Sequence, residues 1–190
     1  SLGECYYYGE GIAQDYDSAV SWYRKAAEQG HADAQTQLAL CYLDAIGIPQ
    51  NYDSALSWLQ KADEQEHPEA PYIIAEMYNS GTGVPHNKNM AKTWYLRAAK
   101  LGNPLAQFTV AFDLYSNHEY HTAAEWFLKA AKQGHTDAQC ILASLYEQGL
   151  GVNADLNVAI RWYTIAAHQG NNIAEQKLQK LDAHKIHYFL

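Results

Sequence analysis

Apolar positions along the chain fall into two alternating patterns. In the first, Ala34, Leu38, Ala39 and Tyr42 stand at i, i+4, i+5 and i+8, one face of an α-helix. The same spacing returns as Ala70, Ile74, Ala75 and Tyr78, and as Ala138, Leu142, Ala143 and Tyr146. The second pattern is Ala-x-x-Trp, then mostly an aromatic, then Ala-Ala and Gly. It runs from Ala19 to Gly30 and recurs from Ala55, Ala91, Ala123 and Ala159. All five tryptophans of the chain, Trp22, Trp58, Trp94, Trp126 and Trp162, belong to it, at spacings of 36, 36, 32 and 36 residues. A fixed period of that size is the mark of a repeat array. Each unit reads as helix, glycine turn, helix and short joint. The expected fold class is therefore an all-α solenoid of helix-turn-helix repeats of about 36 residues, whose core forms by stacking without a sheet.

The expected repeats cover 1–31, 32–67, 68–103, 104–135 and 136–171 in a single solenoid. A capping helix follows at 172–184, burying Ala174, Leu178 and Leu181, and then an apolar tail at 185–190. Lys177, Lys180 and Lys185 suit a polar cap on the open end. Turn glycines at Gly9-x-Gly11, Gly81-x-Gly83 and Gly149-x-Gly151 permit positive φ and a sharp reversal. Asp15, Asn51, Asn87 and Asp155 then sit where a short side chain can cap the second helix. The small Ala pairs let helices approach, with Trp expected to fill the space between them. Repeat four departs from the rule: it is four residues shorter, and Ser116-Asn117-His118-Glu119 replaces the double-glycine turn. Leu2 already occupies the fifth position of a first helix, so further repeats are expected upstream.

Charge is unevenly placed. Residues 1–66 hold 11 Asp and Glu against 3 Lys and Arg; residues 67–190 hold 10 against 10. A nucleic-acid binder needs a basic stripe to displace counterions, and this chain offers the reverse. A basic partner at the first two repeats is permitted, beside the plainer reading of a solvated acidic face. No run approaches the roughly 18 apolar residues of a membrane span. Cys5, Cys41 and Cys140 form no framework. Cys5 and Cys41 share a repeat position, and stacked helix axes lie farther apart than a disulfide spans, so free thiols are expected.

Leu2-Gly3, Tyr6, Gly9-x-Gly11-Ile12, Asp15, Ala19, Trp22-Tyr23, Lys25-Ala26-Ala27 and Gly30 together resemble the Sel1-like repeat of the tetratricopeptide superfamily. The likeness covers about residues 2–181. Repeats three and five match nearly as well as repeat one. Repeat two is looser, with Ala45, Asp63 and Glu66 at consensus positions, and repeat four lacks the turn. The resemblance implies a right-handed superhelix whose first helices line a concave face. It also implies a non-enzymatic scaffold or adaptor for protein complexes, without cofactors. Many bacterial relatives are periplasmic or secreted, which favours such a compartment, although the sequence shows no signal peptide. The disulfide-bridged secreted branch is a poor match, because no repeat here has paired cysteines.

On the side of each first helix facing away from its second helix, 100° per residue collects Tyr7, Leu40, Leu43, Tyr72, Ile73, Asn79, Phe108, Phe112, Tyr115, Ile141, Ser144 and Glu147. Phe108-Phe112-Tyr115 is an aromatic stripe at i, i+4, i+7. Two readings fit it: a groove anchoring a peptide segment or protein partner, or rings packed against adjacent first helices. Competing functions are a metal or small-ligand site at His118, Glu119, His121 and Glu125, and self-assembly through open ends or the tail Ile186-His187-Tyr188-Phe189-Leu190. Two histidines without a fixed third ligand are a weak metal signal. His31, His67 and His135 recur at the joints and are expected to be structural, as partners of helix C-termini. No HExxH, nucleophile elbow or P-loop occurs, and no catalytic residue is assigned.

Overall fold

A computed structural model describes the backbone of residues 1–187 and the side chains of residues 1–182. Among the described residues there are eleven helices and no strand. The chain divides into two compact units, residues 1–101 and 102–190. Unit one holds α1 (Leu2–Tyr8), α2 (Tyr16–Glu28), α3 (Ala32–Asp44), α4 (Tyr52–Glu64), α5 (Glu69–Ser80) and α6 (Lys88–Lys100). Unit two holds α7 (Pro104–Ser116), α8 (Tyr120–Lys132), α9 (Thr136–Gln148), α10 (Leu156–His168) and α11 (Asn172–His187). Within each unit consecutive helices pack as hairpins, and each hairpin's second helix packs on the first helix of the next. This is an all-α repeat fold, as the periodicity predicts.

The caps form where the short polar side chains stand. Asp15 accepts from the amides of Asp17 and Ser18, Asn51 from Ser54, Asn87 from Asn89 and Met90, and Asp155 from Val158. Each satisfies amides that the first turn leaves without intrahelical partners. The second turn glycine is required sterically as well as conformationally. A Cβ on Gly83, at φ 70°, would come 2.4 Å from the Tyr52 side chain, because each turn rests on the start of the preceding second helix. Repeat four has no such glycine: α8 begins after Glu119, which makes no side-chain cap bond, and His118 takes a positive φ of 64°. Ala45 and Glu66, which replace consensus glycines, also hold positive φ, at 56° and 59°.

The largest buried side chain of each second helix is the residue after tryptophan: Tyr23, Leu59, Tyr95, Phe127 or Tyr163. The indoles are less deep: Trp22 is 40% exposed, while Trp58, Trp94, Trp126 and Trp162 are half-buried against the cores, Trp58 and Trp162 each touching two of them. Lys25, Lys61 and Lys129 lay their ammonium groups over Trp22, Trp58 and Trp126 at 4.6, 4.0 and 3.9 Å. Three of the five indoles thus lie beneath a cation one turn on. Cys5, Cys41 and Cys140 are free thiols, the last two buried. Burial pushes the Cys41 thiol up to about 11.

Of the joint histidines, His135 acts at the opposite helix end from the one expected. His31 and His135 are the N-cap residues of α3 and α9, and His135 Nδ1 accepts from the Ala138 amide at 3.3 Å. His67 joins repeats, with Nδ1 3.2 Å from Thr36 Oγ1 and Nε2 2.9 Å from Asp33 Oδ1. A joint residue stands where the next helix opens, and the His135 ring therefore meets one of the unpaired amides of its first turn, whereas the His31 ring makes no cap bond. The last helix runs on to His187, beyond the expected limit at 184. The side chains of residues 183–187, and residues 188–190 entirely, lie outside the described residues, and with them most of the expected apolar tail.

Candidate functional site

In unit one, the residues expected on the first-helix face are Tyr7, Leu40, Leu43, Tyr72 and Asn79, and two of them, Tyr7 and Tyr72, meet rings of the second helix of their own repeat, Tyr23 and Tyr95. Tyr7 belongs to a ring cluster, its centroid 4.9 Å from Tyr8, 5.4 Å from Tyr16 and 6.3 Å from Tyr23. Burial pushes its hydroxyl pKa up. Leu40, Leu43 and Tyr72 are half-buried against the core of repeats two and three, while Asn79 is exposed. The chemistry of this face is set by Glu76, one turn before Asn79. The buried Tyr95 hydroxyl donates to the Glu76 carboxylate, and the Tyr72 ring stands 5.9 Å from that of Tyr95. Burial and then the neighbouring carboxylate raise the pKa of both tyrosines, so both stay protonated donors.

In unit two the aromatic stripe splits by role. Phe108 stacks on His135, with centroids 4.3 Å apart and planes 13° off parallel, and meets Phe127 at 5.9 Å. Tyr115 packs on Tyr120 at 5.4 Å and Phe127 at 6.3 Å. Phe112 lies between them, 6.1 Å from Phe108 and 6.5 Å from Tyr115, and remains 49% exposed. Two rings of the stripe therefore fasten its helix to the core and one faces water.

Beside this stripe a cavity of about 190 Å³ opens, lined by Tyr115, Cys140, Ile141, Ser144, Leu145, Tyr163, Ile173 and Lys177. It is smaller than the roughly 300 Å³ at which small-molecule pockets begin, and its mostly apolar wall suits one side chain better than a cofactor. Its polar margin is organised. Glu147 accepts from the Tyr163 hydroxyl at 2.7 Å and from Lys177 Nζ at 2.8 Å, and Ser144 Oγ accepts from Gln148 Nε2 at 2.6 Å. Burial alone would raise the Glu147 carboxyl, but the bonds from Lys177 and Tyr163 outweigh it and hold the group below its usual range. Of the expected residues, Tyr115, Ile141 and Ser144 thus share one cavity, with Glu147 at its rim.

Glu76, Tyr95, Tyr163 and Lys177 were not among the residues expected from sequence. The register hints at one of the pairs: Glu76 is the seventh residue of its helical pattern, and Tyr95, the residue after Trp94, donates to it. The hint does not extend to the other tyrosines, since Tyr163 donates to Glu147, one turn later than Ser144, and the buried Tyr23 hydroxyl makes no hydrogen bond among the described residues.

The histidines of repeat four do not converge. His118 Nδ1 is 2.7 Å from the Tyr120 hydroxyl, and His121 Nδ1 donates to the Gly151 carbonyl at 3.0 Å. Among the described residues no group of three or more His, Cys, Asp or Glu is placed to hold a metal ion. No helix of the described residues is long and apolar enough to cross a membrane.

The family model described as Sel1 repeat matches residues 1–31, 32–67, 68–103, 113–135 and 136–171. Among solved structures, a Sel1 repeat protein from Oxalobacter formigenes is 38% identical with a TM-score of 0.86, over 90% of this chain and 51% of that one. A protective antigen of uropathogenic Escherichia coli displaying an SLR fold is 33% identical with a TM-score of 0.80, over 93% of this chain and 39% of that one. An immunity protein of Pseudomonas aeruginosa is 27% identical with a TM-score of 0.60, over 90% of this chain and 66% of that one. The chain therefore spans about half or less of the first two. A search of curated proteins gives no match.

Proposed function

The chain belongs to the Sel1 repeat family, and from that premise we propose that it is a non-enzymatic scaffold binding a peptide segment or protein on its first-helix face. Sel1 repeat proteins generally act as protein-interaction scaffolds. The observation that carries the reading here is Phe112, a large ring left half-exposed on that face by neighbours that are themselves packed. Exposed aromatics beside a cavity of side-chain size are the usual anchors of an interface. The adjoining cavity receives an aliphatic residue of the bound segment, and Ser144 and the Glu147–Lys177 pair at its margin offer hydrogen bonds to the segment's backbone.

The test is selection of a displayed random peptide library on the intact chain, followed by affinity measurement on the recovered peptides with wild type and Phe112→Asp. Removing a central anchor costs roughly 2 kcal/mol or more, a loss of at least about thirtyfold. The half-exposed ring contributes little to the core, so the melting temperature of Phe112→Asp stays within about 4 °C of wild type. Peptides bound equally by both proteins, or no enrichment at all, would sink the reading. A collapse in melting temperature would make Phe112 part of the core.

A further inference from the structure

The two units contain the same small device in two states. In repeat five, a first-helix carboxylate, Glu147, is held by the buried hydroxyl of the second-helix Tyr163, and it grips an ammonium: Lys177 Nζ lies 2.8 Å from Glu147 Oε2 and 6.0 Å from the Tyr163 ring centroid. In repeat three, the first-helix Glu76 is held in the same manner by the Tyr95 hydroxyl and is flanked by a second ring, Tyr72. The carboxylate comes from one turn earlier on its helix, but the parts are the same: an oriented carboxylate against a tyrosine whose hydroxyl is spent on it. Lys177 is the fourth residue of its helical pattern, and the counterparts in other repeats are Gln37, Ile73, Thr109 and Ile141. The chain thus supplies a lysine at this position to repeat five alone. Glu76 is exposed, and among the described residues it stands in no ion pair.

We infer that the Glu76–Tyr72–Tyr95 clasp of unit one is a receptor for a lysine or arginine side chain of a protein or peptide partner, the role that Lys177 plays internally for Glu147. The inference rests on the first-helix face being the binding face, and it names the chemistry of the partner there. Three properties favour a cation. The carboxylate is pre-oriented by a donor that cannot neutralise it, so little ordering is left to be lost on binding. Tyr72 stays half-exposed, offering a ring face that attracts an ammonium or guanidinium. The surrounding unit is acidic: residues 1–101 hold 13 Asp and Glu against 7 Lys and Arg, and that field steers a basic partner toward the face and disfavours an acidic one.

The experiment titrates the intact chain with Nα-acetyl-lysine amide and, as a neutral control of similar shape, Nα-acetyl-norleucine amide, following backbone amide shifts by NMR. Saturable shifts centred on residues 72, 76, 79 and 95 with the lysine compound alone are the expected result. Glu76→Gln, which keeps an acceptor for Tyr95, weakens binding by about fivefold or more, the size of an exposed to half-buried ion pair; Glu10→Gln, an exposed carboxylate of the same unit, changes nothing. Shifts spread over the acidic surface of residues 1–66, equal shifts with norleucine, or titrations unaltered by Glu76→Gln each overturn the inference. Its failure leaves the scaffold reading standing if library peptides still depend on Phe112, whereas loss of both would remove the first-helix faces as binding surfaces.

Discussion

Asp63 and Arg97 offer a clean asymmetry. Asp63 occupies a position that is alanine in every other repeat, at 27, 99, 131 and 167. It is buried, and Arg97 of the next repeat reaches it with Nε 2.5 Å from Oδ1 while Nη2 donates to the Asp63 carbonyl at 3.2 Å. The arginine side chain is 47% exposed, the aspartate 10%. Removing Arg97 leaves a carboxylate stripped of water and partner. For a fully buried pair that costs roughly 3–5 kcal/mol, and with solvent reaching the arginine side we expect about 2 kcal/mol. Asp63→Ala does the reverse: the residue that replaces the charge already packs at the equivalent positions, and Arg97 turns to water. Its cost is below about 0.5 kcal/mol. The double variant resembles Asp63→Ala, giving a coupling of about 1.5–2 kcal/mol. Urea unfolding followed by circular dichroism measures all four proteins, and Arg97→Ala lowers the melting temperature by about 4–8 °C. If Asp63→Ala destabilised as much as Arg97→Ala, the pair would be a net stabiliser and the argument from stranded charge would be wrong.

Ala45→Gly and Glu66→Gly each relieve a left-handed backbone position held without glycine, and should raise unfolding free energy by about 0.5–1 kcal/mol; destabilisation in urea melts would show the strain absent. His135 is half-buried, stacked on Phe108 and accepting a backbone amide at Nδ1, and partial burial lowers its pKa below 6.5. The unfolded chain therefore binds the proton more readily. The stability tied to neutral His135 is full above pH 6.5 and is lost as pH falls through the depressed value. His135→Asn, the capping residue found at Asn103 and Asn171, should flatten that acid-side loss, and parallel stability–pH curves for the two proteins would refute the assignment.

How much of this was legible in the chain follows from the range of each interaction. Helix faces, the period, the capping roles of Asp15, Asn51, Asn87 and Asp155, and the anomaly at Ser116–Glu119 depend on residues within one or two turns of each other, and the repeat prints them five times. The all-α repeat fold was therefore readable from spacing alone. The aromatic stripe at 108, 112 and 115 was visible as well, but periodicity assigns all three rings to one face. Only packing separates Phe108, held by His135, and Tyr115, held by Tyr120 and Phe127, from the exposed Phe112.

His135 caps the other helix end because a joint residue follows one helix and opens another, and sequence does not say which amides or carbonyls its ring meets. The clasps Glu76–Tyr95 and Glu147–Tyr163–Lys177, and the pair Asp63–Arg97, join residues 16 to 34 positions apart. Their existence turns on lateral distances between stacked helices of a few ångströms, which no local pattern encodes. The sequence by itself determined the repeat and its elements, since those follow from short-range sterics and hydrogen bonding. Tertiary structure decided which carboxylates are oriented, which are neutralised and which ring meets water, because charge and burial are properties of neighbours that only the fold brings together.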